Sequence, residues 1–144
     1  MAKDQLIGTW KVETLKTTTG GSVSYPLGER PTGFVTMTPE RIWVLFANST
    51  RKAPAAAKPT DAEAIAMMKS HVAWSGKYST ADQESDVIEV TAHVDTPSSQ
   101  AIAGNDRVYF MQVDGDKLRV RSPGVVVPMT GATSIVKIEL VKVE

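Results

Sequence analysis

The chain has 144 residues, 42% hydrophobic and 22% charged, which is the length and composition of one ordinary globular domain, 1–144, rather than of a disordered chain. Sixteen Lys and Arg balance sixteen Asp and Glu, so the basic footprint of a nucleic-acid binder is missing. Zero Cys excludes disulfides, thiolate nucleophiles, iron–sulfur clusters and cysteine zinc sites, leaving only His71 and His93 for imidazole chemistry.

Eight runs have β character, most of them short and separated by turn chemistry. The first covers Leu6 to Leu15 and ends in Thr17-Thr18-Thr19-Gly20-Gly21. Phe34 to Thr38 and Ile42 to Ala47 flank Thr38-Pro39-Glu40-Arg41, a hairpin turn with Pro preset at an early position. The segment from Asn48 to Pro59 has no periodicity. A helix of nine or ten residues then starts at Thr60, where Glu63 three residues on completes a capping box. The remaining strands are His71 to Tyr78, Asp86 to Asp95, Asp106 to Val113, Lys117 to Ser122 and Thr133 to Val143. Asp114-Gly115-Asp116 marks a tight turn between two of them. Antiparallel β structure with one short helix after the third strand is the predicted class.

Alternation assigns the faces. Setting Tyr78 opposite Asp86 pairs Trp74 with Val90, Val72 with Ala92, and His71 with His93. Val72, Trp74, Gly76, Tyr78, Ile88, Val90, Ala92 and Val94 then share an apolar face, which belongs inside. Setting Asp95 opposite Asp106 turns Arg107, Tyr109, Met111 and Val113 inward, with Val90 against Met111. The Asp-Gly turn brings Leu118, Val120 and Ser122 beside them, and places Tyr109 opposite Ser122. The last strand contributes Val136, Ile138 and Leu140. The Phe34–Ala47 hairpin is apolar on both faces, and Phe34, Trp43 and Leu45 on its second face suggest a homodimer patch or cover by the helix.

No GxGxxG, GxxxxGK, GxSxG or HExxH occurs, so dinucleotide, P-loop, α/β-hydrolase and zincin chemistry fall away. His71, His93 and Asp95 are read as a wet polar face rather than a metal site; Glu89 lies about 13 Å from His93 along the strand at ~3.3 Å per residue. Neither a metal nor a cofactor is expected. No apolar run reaches the ~18 residues of a membrane span and the N-terminus lacks a signal-peptide pattern, so the expected location is cytoplasmic.

Arg107 and Tyr109 stand out because they point into an otherwise apolar interior. They are either satisfied locally, Arg107 at the barrel rim and Tyr109 on a backbone carbonyl, or they recognise a carboxylate, phenol or carbonyl of a bound small molecule. Met67 and Met68 read as core or as an adaptable lid over a barrel mouth.

Leu6-Ile7-Gly8-Thr9-Trp10 resembles the Gly-x-Trp opening of lipocalins. Tyr25-Pro26-Leu27-Gly28, Gly33-Phe34 through Thr38-Pro39, Ala73-Trp74-Ser75-Gly76-Lys77-Tyr78 and Gly104 through Phe110 resemble, in order and across nearly the whole chain, the bacterial and fungal lipocalin-like domain family. The resemblance implies an eight-stranded antiparallel up-and-down barrel around a small-molecule cavity, in a family whose related barrels include ligand carriers and cofactor-free isomerases, cyclases and lyases. That family often carries paired histidines on the fifth strand and an arginine on the sixth; here Ala92 stands at the first histidine, and Tyr109 at the arginine with Arg107 two residues before it.

Two functions follow as expectations: binding of a small apolar or aromatic molecule in the barrel, or cofactor-independent isomerase, cyclase or lyase chemistry on a small aromatic or carbonyl compound. In both, the site lies inside the barrel, lined by Trp74, Tyr78, Val90, Met111 and Ser122, with Arg107 and Tyr109 as the groups able to carry chemistry.

Overall fold

A computed structural model describes residues 2–83, 86–97, 106–126 and 133–144. Gly104, one of the residues carrying the family resemblance, lies outside them. A 3-10 helix, Ala2–Leu6, precedes β1 (Gly8–Thr19), β2 (Ser22–Ser24), β3 (Thr32–Met37) and β4 (Arg41–Ala47). Helix α1 (Asp61–Lys69) follows, then β5 (His71–Asp82), β6 (Val87–Pro97), β7 (Asp106–Asp114), β8 (Lys117–Arg121), β9 (Val125–Val126) and β10 (Thr133–Lys142). All pairings are antiparallel between neighbours, and β1 pairs with β10 to close the sheet.

Ten strands make an eight-position barrel because two of them share a position with a neighbour. β2 pairs with the end of β1 while β3 pairs with its start, and β9 and β8 divide β10 in the same way. Counting β2 places the helix after the fourth strand rather than the third. The first strand begins at Gly8, because Leu6 is taken into the preceding 3-10 turn.

The inward faces are those that alternation assigns, although two pairings differ. Tyr78 lies opposite Ala92, not Asp86, because β5 continues through Ser79-Thr80-Ala81-Asp82 before turning. Val90 therefore faces Thr80 instead of Trp74, Trp74 faces Pro97 beyond a bulge at Ser75/Gly76, and His71 pairs with Ala47 of β4 rather than with His93. Val72 likewise pairs with Phe46 instead of Ala92. Between β6 and β7, His93 lies opposite Asp106, so Val90 meets Tyr109 and Ile88 meets Met111. From Gly76 onward on β5, and between β6 and β7, the register moves by an even number of residues, which leaves those side chains on their own face, while the bulge adds one residue at Trp74 and Ser75. The β7–β8 hairpin has the expected register, with Gly115 at φ 63° in the first of its two loop positions, where type II′ geometry favours glycine.

One end of the barrel is plugged. Leu6 and Trp10 are fully buried there, and the Trp10 indole N–H donates to the Leu6 carbonyl at 2.9 Å. Met37, Ile42, Ile88, Leu118 and Leu140 pack with them. On the outer wall, Arg41 donates to both Asp95 carboxylate oxygens (2.9 and 2.7 Å) and to Ser75, tying β4 to β6 across β5. The Arg41 hydrogen bonds, helped by Thr96, hold the Asp95 carboxyl down at about 2.

The capping box of α1 forms: Thr60 Oγ1 accepts from Glu63 N–H, and Glu63 accepts from Thr60 N–H. None of the helix residues is buried, so Met67 and Met68 are not core. Phe34, Trp43 and Leu45 stay exposed on the outer wall, with Phe34 directly opposite Leu45, and the helix does not bury them. If a second copy covers this strip, light scattering at micromolar concentration is expected to exceed 15.5 kDa and to fall back to it in Trp43→Lys; a constant 15.5 kDa rejects the dimer.

Candidate functional site

The end opposite the plug opens into a cavity of about 290 Å³. Its walls come from β1 (Leu15, Thr17), the loop after β2 (Pro26, Leu27), β3 and β4 (Val35, Ile42, Val44, Phe46), β5 (Val72, Trp74), β7 (Arg107, Tyr109, Met111) and β8–β10 (Val120, Ser122, Val136, Ile138, Leu140). Lys69, the last residue of α1, completes the lining. The walls are apolar because each strand directs every second residue inward, and those positions are mostly branched aliphatics or aromatics.

Five of the residues that sequence assigns to the site meet on this cavity: Trp74, Arg107, Tyr109, Met111 and Ser122. Tyr78 and Val90 do not line it. Tyr78 points toward the plugged end, where its hydroxyl donates to the Thr38 carbonyl at 2.6 Å and Lys3 lies 5.0 Å from its ring centre. Burial, and secondarily the Asp4 charge, raises its pKa. Val90 is fully buried and sits opposite Thr80 and Tyr109, and it is not part of the lining. The longer β5 sets Val90 opposite Thr80, six residues along β5 from Trp74, so Val90 and Trp74 do not meet.

Arg107, Tyr109 and Trp74 form one cluster. The Arg107 Nε–H donates to the Tyr109 hydroxyl oxygen at 2.8 Å. The Trp74 and Tyr109 rings are nearly parallel, 8° apart with centres 6.1 Å from each other, and the guanidinium carbon lies 5.9 Å from each ring centre. Because Tyr109 accepts from Arg107, its own O–H proton is left to donate elsewhere. Among the described residues no carboxylate pairs with Arg107, and the other guanidinium N–H groups have no hydrogen-bond partner. Ala92, fully buried, lies directly opposite Arg107 on β6. Ser122 is already engaged, since its hydroxyl donates to the Pro123 carbonyl and accepts from Val136 N–H, so it offers wall more than recognition.

The histidines lie apart. His71 Nδ1 meets the Met67 carbonyl at 2.8 Å, and His93 Nδ1 meets the exposed Asp106 carboxylate at 2.8 Å. Sequence reasoning passed over Lys69, Val44, Phe46 and Leu27 as site residues. Inward alternation already singles out Val44 and Phe46, whereas Lys69 carries no signal beyond its place at the end of a helix near the mouth. Among the described residues, no helix is long and apolar enough to cross a membrane.

Neither a curated protein nor a solved structure matches the chain. A family model described as the lipocalin-like domain matches residues 7–141, almost the whole barrel from the residue before β1 into β10. The closed eight-position barrel, the Gly8-Thr9-Trp10 start packed into the plug and the matched length agree: this chain belongs to the lipocalin-like domain family.

Proposed function

We propose that the protein binds a small apolar or aromatic molecule inside the barrel. The observation that carries this reading is the apolar cavity of about 290 Å³, plugged at one end and offering only a few polar groups on its wall. At ~30 Å³ per water, that volume corresponds to roughly ten waters, the scale of a one- or two-ring compound. Trp74 and Tyr109 supply flat surfaces for a ring, and the Tyr109 hydroxyl proton supplies a donor for a carbonyl or similar acceptor.

The neutral ketone 2-acetylnaphthalene tests it. Saturable binding by calorimetry is expected, with loss in Met111→Trp, where the larger side chain fills the cavity. The reading fails if the ketone does not bind, or if Met111→Trp binds it unchanged while remaining folded. Tyr109→Phe is expected to weaken the ketone's binding by about 0.5–1.5 kcal/mol, the ordinary net worth of one hydrogen bond. His93→Ala should leave binding unchanged, because that ring sits on the outer polar surface with Asp106.

A second reading draws on the Arg107–Tyr109 hydrogen bond. A guanidinium held against a phenol is an arrangement in which Tyr109 acts as acid or base while Arg107 stabilises an enolate or carboxylate, the needs of a cofactor-independent isomerase, cyclase or lyase. Turnover of a small aromatic carbonyl compound that disappears in Tyr109→Phe, with binding retained, would select it over simple binding.

A further inference from the structure

We propose that the cavity is specific for a carboxylate-headed ligand, oriented with its carboxylate toward Arg107 and Lys69 and its flat apolar body on Trp74. This rests on the ligand-binding reading above and goes further by fixing the charge, the orientation and an additional binding residue. Among the nineteen described residues that line the cavity, Lys69 and Arg107 are cations and none is Asp or Glu. The chain as a whole has equal numbers of acids and bases, so an interior with two bases and no acid departs from its average.

Arg107 carries most of the argument. A guanidinium drawn out of water favours a charged partner, and here its neighbours are the Trp74 indole and the Tyr109 phenol. The Nε–H bond to Tyr109 orients the guanidinium, while the Nη groups, which together can take a carboxylate end-on in a fork, have no partner among the described residues. Tyr109, bonded at Nε, keeps its hydroxyl proton as a further donor for an anion.

Lys69 contributes differently. It lies in the last turn of α1, a favourable place for any cation near a helix C-terminus, and that local role alone accounts for its presence on a helix. Its place on the cavity lining gives it a second consequence. An exposed ammonium at the opening attracts an anion before it enters, through an interaction that salt screens over about 8–10 Å. Arg107 should therefore set affinity at all ionic strengths, and Lys69 chiefly at low salt.

The experiment compares two probes of matched shape, naphthalene-2-carboxylate and the neutral 2-acetylnaphthalene, on the full-length protein by calorimetry at pH 7. The acid is expected to bind roughly 10- to 100-fold more tightly than the ketone, the range of a hydrogen bond to a charged group. Arg107→Met should remove that preference, read as the ratio of acid to ketone affinity on the same variant. Lys69→Met should reduce the preference at 20 mM salt and have little effect at 500 mM, conditions on either side of screening. Equal affinity for acid and ketone overturns the proposal and leaves the apolar-ligand reading standing. A preference that survives the double variant Arg107→Met/Lys69→Met also overturns it, because the charge is then read elsewhere. Binding of neither probe overturns both readings together. Circular dichroism of each variant confirms that the barrel is intact, and Arg107→Lys, which keeps the charge but not the fork, should recover only part of the preference if Arg107→Met alters packing.

Discussion

Replacing Trp10 with alanine is expected to cost about 3–5 kcal/mol, the range for removing a fully buried large aromatic. Trp10 has no exposed surface, and it lies between Val35 of β3 and Lys142 of β10, the two strands on either side of β1. Its ring closes the base of the barrel, with the Lys142 ammonium 5.5 Å from the ring centre on its outer side. Its indole N–H is also the side-chain partner of the Leu6 carbonyl, so truncation strands a buried acceptor as well as opening a void. For a chain of this length, such a loss lowers the melting temperature by roughly 6–20 °C. Trp10→Phe keeps one ring, loses the donor and part of the buried volume, and should cost about 1–3 kcal/mol. Urea unfolding followed by circular dichroism measures both. A cost below 1 kcal/mol for Trp10→Ala would mean that the plug does not close the barrel as described.

The plug also shows how far the sequence reveals the fold. Gly8-Thr9-Trp10 is visible as a motif, but its role depends on the 3-10 turn that carries Leu6 beneath the barrel, and a five-residue turn leaves no periodic trace. The inward faces are legible because a strand has a period of two and the apolar residues obey it on β5, β6, β8 and β10. The partner of each residue is less legible. Ser79-Thr80-Ala81-Asp82 has the composition of a turn, yet these residues extend β5 beyond the core, and where a hairpin turns decides its register. The slip sets Val90 opposite Thr80 rather than Trp74, and neither Val90 nor Tyr78 lines the cavity.

The same contrast holds for the site. Arg107 and Tyr109 could be recognised because they interrupt an apolar alternation at inward positions, and the structure brings them onto one wall with Trp74. Lys69 could not be. Its position follows from the path of the aperiodic segment between β4 and α1, which is fixed by local bonds such as Asn48 N–H to the Ser70 carbonyl and Arg51 to the Met67 carbonyl. Helix α1 itself was predictable from its cap, since Thr60 and Glu63 act within four residues of each other. Short edges such as β2 and β9, three and two residues long, exist because β1 and β10 extend past their main partners, and neither has a sequence signature.

Gly76→Ala is expected to destabilise the fold by about 1–3 kcal/mol or more and to weaken ligand binding as well. A methyl group at residue 76 would sit 2.2 Å from the His93 carbonyl oxygen, 2.7 Å from its carbon and 3.0 Å from the Val94 Cα. All three atoms are backbone, so no side-chain rotation relieves the clash, and β5 must move away from β6. This is the point where the pairing slips: Gly76 lies opposite Val94, while Ser75 lies opposite Thr96 across the bulge. Bulges bend a strand and re-aim the residues beside them, and here Trp74, Ser75 and Gly76 are buried in succession, with Trp74 delivered to the cavity wall. Moving the strands apart therefore disturbs Trp74 and, through its stacking, Tyr109 and Arg107. Lys77→Ala, one residue on and exposed, is the control and should stay within about 0.5 kcal/mol of the parent, as surface changes usually do. If Gly76→Ala matches that control in urea unfolding, the close approach of β5 to β6 is not as described. If instead it is destabilised but binds 2-acetylnaphthalene with unchanged affinity, the bulge serves packing alone, and Trp74 owes its position in the cavity to its contacts with Tyr109.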